Sequence, residues 1–162
     1  MAGEEQRVLF VCTGNTCRSP MAEGMFRAAT AEEGIVTLGS AGVAAMDGLQ
    51  ASGDTRAVLN ERGIELDGFR SRMVDEKMLE EATHVFCMTQ NHLEMLTMLY
   101  PAFSDRFFLM CDFVEINGRA GRDVPDPIGM GRAAYEDVAR CFEAAIVGIR
   151  GFLKALVNGN NS

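Results

Sequence analysis

Several things are missing from this chain, and each absence removes a class of function. Among its 162 residues no apolar run approaches the roughly 18–20 that a membrane span needs. The N-terminus also lacks the basic-then-apolar pattern of an export signal. A cytoplasmic protein with no membrane partner is expected. Cations are scarce: 15 Lys and Arg stand against 23 Asp and Glu, a net charge of −8. Such a surface repels nucleic acid, so any anionic substrate must be held by a small local positive site. Cysteine is limited to Cys12, Cys17, Cys87, Cys111 and Cys141, odd in number and scattered, unlike the framework of a small secreted domain. Reduced thiols are the expectation. Cys12 and Cys17 might have been half of a zinc site, but His84 and His92 are not placed near cysteine pairs. No G-x-x-x-x-G-K-[ST] loop is present for a nucleotide. No metal and no cofactor are expected.

What remains is a globular composition, 48% hydrophobic and 23% charged, of a length that fits one domain. Polar ends are expected to be flexible, over 1–6 and 158–162, around a single domain from 7 to 157. Residues 8–11, V-L-F-V, form a continuous apolar run ending at a glycine-containing turn, which predicts a strand buried on both faces of a parallel sheet. A helix is predicted from Ser19 to about residue 34, with Ser19 as its cap, Pro20 in its first turn and Glu23 at the positive end of its dipole. Its apolar stripe is read as Met21, Met25, Ala28 and Ala29. The alternation continues with strands over 35–38, 83–88 and 106–110 and helices over 51–62, 75–82, 90–100 and 132–157. A Gly-, Asp- and Pro-rich loop occupies 117–131. Alternating strands and helices imply an α/β sandwich around a parallel sheet, which binds ligands beyond the carboxyl ends of its strands.

The first strand-to-helix turn carries V-C-T-G-N-T-C-R-S-P, residues 11–20. Backbone N–H groups wrapped ahead of a helix can point inward and cradle an anion. Gly14 allows close backbone approach, Asn15 tolerates the left-handed conformation, and the planar fork of Arg18 can grip two phosphate oxygens. A helix dipole and a guanidinium both favour the anionic form of Cys12, the condition for a nucleophilic sulfur, and Ser19 could donate a hydrogen bond to it. The plainer reading is two buried cysteines at a strand end. In V-P-D-P-I-G, Asp126 is the candidate acid and base for phosphoryl transfer, with Asp123 as its rival.

The stretch V-C-T-G-N-T-C-R-S-P-M-A-E closely resembles the signature of the low-molecular-weight protein tyrosine phosphatase family, and within it the bacterial protein-arginine-phosphatase branch. Ser40-Ala41-Gly42 is similar to the family's serine segment, in which the serine supports the loop asparagine, here Asn15. Asp126-Pro127 resembles its late Asp-Pro motif. The resemblance implies a flavodoxin-like, four-stranded parallel sheet of order 2-1-3-4 in a three-layer sandwich. It also implies a metal-independent phosphatase with a phosphocysteine intermediate, Cys12, Arg18 and Asp126 as catalytic residues, phosphorylated proteins as substrates and inorganic phosphate as an inhibiting product. Thr13, Gly14, Asn15, Thr16, Cys17 and Ser19 would line the phosphate site. Cys17 is either a loop thiol whose N–H binds phosphate or a redox partner that traps oxidised Cys12 as a disulfide. Tyrosine-directed members resemble one another in aromatic walls that are replaced here by Met46 and Ile128-Gly129. They also carry an aliphatic residue where Thr16 stands, as threonine does in the arginine-directed branch. Phosphoarginine is favoured over phosphotyrosine. An arsenate reductase would need a cysteine relay, whereas Cys87 and Cys111 are expected on strands and Cys141 on a helix. A non-catalytic phosphoprotein-binding module would not need Cys12, Arg18 and Asp126 together. His84 and His92 are read as structural or surface residues.

Overall fold

A computed structural model describes residues 5–159. Of the ends expected to be flexible, 1–6 and 158–162, residues 1–4 and 160–162 lie outside the described residues. Four parallel strands, β1 (Arg7–Cys12), β2 (Val36–Gly42), β3 (His84–Cys87) and β4 (Phe107–Leu109), pair in the order β2-β1-β3-β4. Around them lie α1 (Arg18–Ala29), α2 (Gly53–Glu61), α3 (Glu76–Glu81), α4 (Gln90–Leu99) and α5 (Arg132–Gly159), with a 3-10 helix at Pro101–Arg106.

The apolar run of β1 occupies the centre of the sheet, and Val8, Leu9, Phe10 and Val11 are fully buried. Successive side chains point to opposite faces. Val8, Phe10 and Cys12 therefore join the core under α1 and α5, with Met21, Phe26, Phe142 and Ile149. Leu9 and Val11 join the core under α3 and α4, with Leu79 and Leu96. These are the two interfaces of the expected three-layer sandwich.

Five details differ from the sequence reading. Helix α1 begins at Arg18, with Cys17 in the cap position, so Ser19 does not cap it; the Ser19 hydroxyl is engaged instead by Cys12 and Asn15. Glu23 lies beyond the first turn and is buried, accepting from Ser40 and pairing with Arg27. The buried stripe is Met21, Ala22, Met25 and Phe26, while Ala28 and Ala29 face outward. Strand β2 runs on through Ser40, Ala41 and Gly42. A bulge there skips Leu38, so that Leu9 pairs with Gly39 and Phe10 with Ser40. Helix α5 continues past the expected boundary at 157 as far as Gly159, carried by its apolar stripe of Tyr135, Val138, Phe142, Ile146, Ile149 and Leu153.

The segment after β4 is pressed onto α5. A Cβ at Gly148 would overlap the carbonyl oxygen of Phe113, backbone that has no free rotor to move aside. Overpacking of this kind typically costs about 1–3 kcal/mol, and for a domain of this size each kcal/mol lowers Tm by about 2–4 °C. Gly148→Ala should therefore melt several degrees below the unmodified chain in calorimetry, whereas Gly151→Ala, at an open position of the same helix, should not.

Candidate active site

Strand β1 ends at Cys12, and residues 13–17 wrap back before α1 begins at Arg18. Asn15 makes the wrap possible. It has φ 58°, the left-handed region that asparagine tolerates better than most residues, and its backbone N–H lies 3.3 Å from Cys12 Sγ. Its buried amide donates to Ser19 Oγ at 2.8 Å and to Ser40 Oγ at 2.9 Å, and accepts from the Arg72 N–H at 2.9 Å. Ser40 in turn donates to Glu23 Oε1 at 2.7 Å. The expected pairing of Ser40 with Asn15 is present, and Glu23 and Arg72 extend it.

Cys12 Sγ lies 2.9 Å from Ser19 Oγ. Since Asn15 donates to Ser19, the hydroxyl hydrogen of Ser19 is left for the sulfur or for the Ala41 carbonyl, which lies farther off at 3.5 Å. The second rim of the loop is set by β2. A Cβ at Gly42 would overlap the Thr13 carbonyl, and the N–H groups of Val43 and Ala44 bind the carbonyls of Cys12 and Thr13 at 2.9 and 3.0 Å. Thr16 receives Ser52 N–H on its carbonyl at 2.8 Å. The Cys17 sulfur lies 3.4 Å from Tyr135 Oη.

Arg18 is 5% exposed. It donates to the Val124 carbonyl at 3.0 Å and stands 3.8 Å from Asp126 Oδ2. The structure thus brings Cys12, Arg18 and Asp126 to one end of the sheet. The two aspartates are separated by their partners. Asp123 accepts from the Gln90 N–H at 2.9 Å, tying the loop to the start of α4; Asp126 is half exposed and accepts from the Ile128 N–H at 3.1 Å. Met46 and Ile128 are both open to solvent, at 69% and 61% exposure. Met46 sits two residues beyond Ala44, and the segment that carries it is tied down by Ser71 through bonds to Met46 and Leu49. Met130, 70% exposed, belongs with Ile128 and was not singled out from the sequence.

His92 is the clearest omission. It is buried, and its Nε2 lies 2.7 Å from Thr13 Oγ1, directly against the loop, while its Nδ1 has no hydrogen-bond partner among the described residues. Cys111 also departs from expectation. It lies in the turn after β4 rather than on the strand, 3.7 Å from the sulfur of Cys141.

A thiol held under a wrapped loop, a buried guanidinium at the start of the next helix and a carboxyl 3.8 Å from that guanidinium, at the carboxyl end of a parallel sheet, define the class of cysteine-dependent protein phosphatases. The sequence profile of one family, low molecular weight phosphotyrosine protein phosphatase, matches residues 7–159, and the chain belongs to that family. It is 42% identical to a protein-arginine-phosphatase of Geobacillus stearothermophilus over 76% of this chain and 79% of that one. It is 35% identical to a low molecular weight protein-tyrosine-phosphatase of Streptomyces coelicolor over 94% and 96%. Among solved structures it matches a cysteine-to-serine mutant of the YwlE arginine phosphatase with a phosphorylated active-site serine, at a TM-score of 0.84 and 33% identity over 92% and 96% of the two chains.

Burial, with the charge of Arg18 as a lesser cause, lowers the pKa of His92 from 6.5 to about 4, against a weak opposing pull from Asp123 and Asp126. Folded protein therefore refuses a proton that the unfolded chain accepts. Stability from this group is complete above about pH 6.5 and falls as the pH drops toward 4. Urea midpoints should fall over that window in the unmodified chain and fall less in His92→Gln; equal losses in both would remove His92 as the cause.

Proposed function

We propose that the chain is a metal-independent protein phosphatase that works through a phosphocysteine at Cys12, with phosphoarginine proteins as substrates. The observation that carries this reading is the placement of Cys12 Sγ, 2.9 Å from Ser19 Oγ and 3.3 Å from the Asn15 N–H, in a loop closed by buried Arg18. In the first step the sulfur attacks phosphorus and the bond to the leaving nitrogen or oxygen breaks, with Asp126 supplying the proton that the leaving group takes. In the second, water attacks the phosphocysteine, Asp126 accepts its proton, and inorganic phosphate leaves as the anionic sulfur is restored. The loop N–H groups and Arg18 stabilise the phosphoryl oxygens in both steps, and the same cup would bind inorganic phosphate as an inhibitor. Thr13, Gly14, Asn15, Thr16, Cys17 and Ser19 are its lining. The phosphorylated active-site serine of the related arginine phosphatase supports a covalent intermediate at this position. A reducing cytoplasm suits a chain whose described cysteines are all free thiols.

Asp126 is preferred to Asp123 because its carboxylate faces Arg18 while Asp123 is occupied by the Gln90 N–H. Asp126→Asn should lose about 100- to 10,000-fold in kcat on substrates with basic leaving groups, the usual span for general acid–base catalysis. On activated aryl phosphates that leave unaided the loss should be much smaller. Asp123→Asn should lower stability more than activity, and an exchange of the two phenotypes would reassign the acid.

Phosphoarginine is preferred because the places that would flank a phenyl ring hold Met46 and Ile128, and Thr16 puts a hydroxyl into the loop. The tyrosine-directed relative, matched along nearly the whole chain, keeps phosphotyrosine as the second reading. Paired assays on phosphoarginine and phosphotyrosine peptides should give the higher kcat/KM for phosphoarginine. Thr16→Ile should shift the ratio toward phosphotyrosine by about 10- to 200-fold, the range one pocket contact supplies. A preference for phosphotyrosine that Thr16→Ile leaves unchanged would defeat the substrate assignment and leave the cysteine mechanism standing.

A further inference from the structure

Outside the phosphate loop, the described cysteines differ sharply in their surroundings. Cys87 is fully buried on β3 and its thiol is pushed up by burial, which makes it inert. Cys111 and Cys141 instead face one another with 3.7 Å between their sulfurs, and each is a free thiol. Cys111 is buried at the root of the long loop, where its carbonyl accepts from the Gly121 N–H at 2.8 Å. Cys141, in the third turn of α5, is partly exposed and opens onto a cleft of about 510 Å³ that is also lined by Pro125, Asp126 and Pro127. The two thiols are therefore unequal in access: one is sealed and the other meets solvent.

We propose that Cys111 and Cys141 form a second oxidisable dithiol, separate from Cys12, which closes into a disulfide on exposure to hydroperoxides and restrains the loop that carries Asp126. Cys141 is the group that reacts first. Its anionic sulfur attacks the terminal oxygen of the hydroperoxide, the O–O bond breaks, and the leaving alkoxide or hydroxide takes up from solvent the proton that the thiol gave up on ionising and departs as alcohol or water, leaving a sulfenic acid at Cys141. The Cys111 sulfur then attacks the Cys141 sulfur, a disulfide forms, and the sulfenic oxygen leaves as water with the Cys111 proton. In sum, two thiols are oxidised and one hydroperoxide is reduced to alcohol and water.

Geometry supports the order of events. A hydrogen bond from the Cys111 thiol favours the anionic form of Cys141 and correspondingly disfavours that of Cys111. The sulfurs need to approach by less than 2 Å to reach the roughly 2.05 Å of a disulfide. The flanking backbone is already fixed close at hand, with Phe113 pressed against Gly148 two helical turns further along α5. The ring so closed spans the 30-residue separation of the two cysteines and contains all of the Asp126 loop.

The test is peroxide oxidation of the intact chain, followed by intact mass and peptide mapping under non-reducing conditions. Wild-type protein and Cys12→Ser, which cannot form a Cys12–Cys17 link, are treated in parallel. Cys12→Ser should lose about 2 Da, the mass of two hydrogens. The link should map to Cys111 and Cys141, be reversed by dithiothreitol and be abolished by adding Cys141→Ser. Hydrogen exchange over residues 112–131 should slow in the oxidised form. Wild type should show this link together with any link between Cys12 and Cys17, and the wild-type map keeps the test valid if Cys12→Ser folds poorly. A Cys12–Cys17 link with no Cys111–Cys141 link in either protein would overturn the second centre and leave the phosphate-loop mechanism untouched. A mapped link with unchanged exchange in the loop would overturn the restraint.

Discussion

The left-handed turn at Asn15, and the hydrogen bonds that hold it, are what the rest of this site depends on. A residue at φ 58° directs its N–H back to the Cys12 sulfur, and only a fully satisfied side chain can be kept there away from water. The polarity of the network is determined from its outer end. A carboxylate can only accept, so Ser40 must donate to Glu23 and therefore accept from Asn15. That turns the Asn15 amide nitrogen toward the two serines and its oxygen toward the Arg72 N–H. It also frees the Ser19 hydrogen for the sulfur. A buried glutamate on α1, linked to Cys12 through Ser40, Asn15 and Ser19, thus keeps the Asn15 amide from claiming the Ser19 hydrogen.

Charge is distributed with similar economy. In a chain of net charge −8 the proposed phosphate loop has a buried arginine and backbone dipoles to offer an anion, while the neighbouring imidazole is kept neutral by burial and by Arg18 itself. A neutral His92 can hold Thr13 by either tautomer without adding a second fixed charge beside the guanidinium. The result is a cup with its positive charge concentrated on a side chain whose planar fork also has directional donors.

The fold and the central part of the site were legible because their signals are local. A continuous apolar run, a glycine and asparagine turn and an arginine at the next helix start all fall within residues 8–18, whereas the sheet order, 2-1-3-4 as the family resemblance implies, has no local signal of its own. What was misread depends on partners distant in sequence. Ser19 has a capping residue's chemistry, but its hydroxyl is claimed by Cys12 and Asn15. Glu23 looks like a dipole partner until β2 brings Ser40 to it, and the bulge at Leu38 that sets the alternation of Ser40 leaves no mark except Gly39, whose φ of 134° favours glycine. His92 and Thr13 are 79 residues apart, and Cys111 and Cys141 are 30 apart. No periodicity within an element announces a contact of that kind.

The Asp-Pro loop shows how one arginine can serve both structure and chemistry. Val124 is buried between the two aspartates, with its N–H on the Met88 carbonyl at 2.9 Å and its carbonyl on Arg18 at 3.0 Å. The backbone beside Pro125 is therefore fixed to the end of β3 on one side and to the phosphate loop on the other, while Asp123 fastens the same segment to α4. Beyond these anchors the chain turns outward, and Asp126 is left half exposed at 3.8 Å from the guanidinium it faces. At that exposure the ion pair adds little stability, so its geometry has more to do with placing a carboxyl above the loop than with holding the fold together. Under the proposed mechanism, a substitution at Arg18 would remove the phosphate grip and, with the bond to the Val124 carbonyl, an anchor of the Asp126 loop at once.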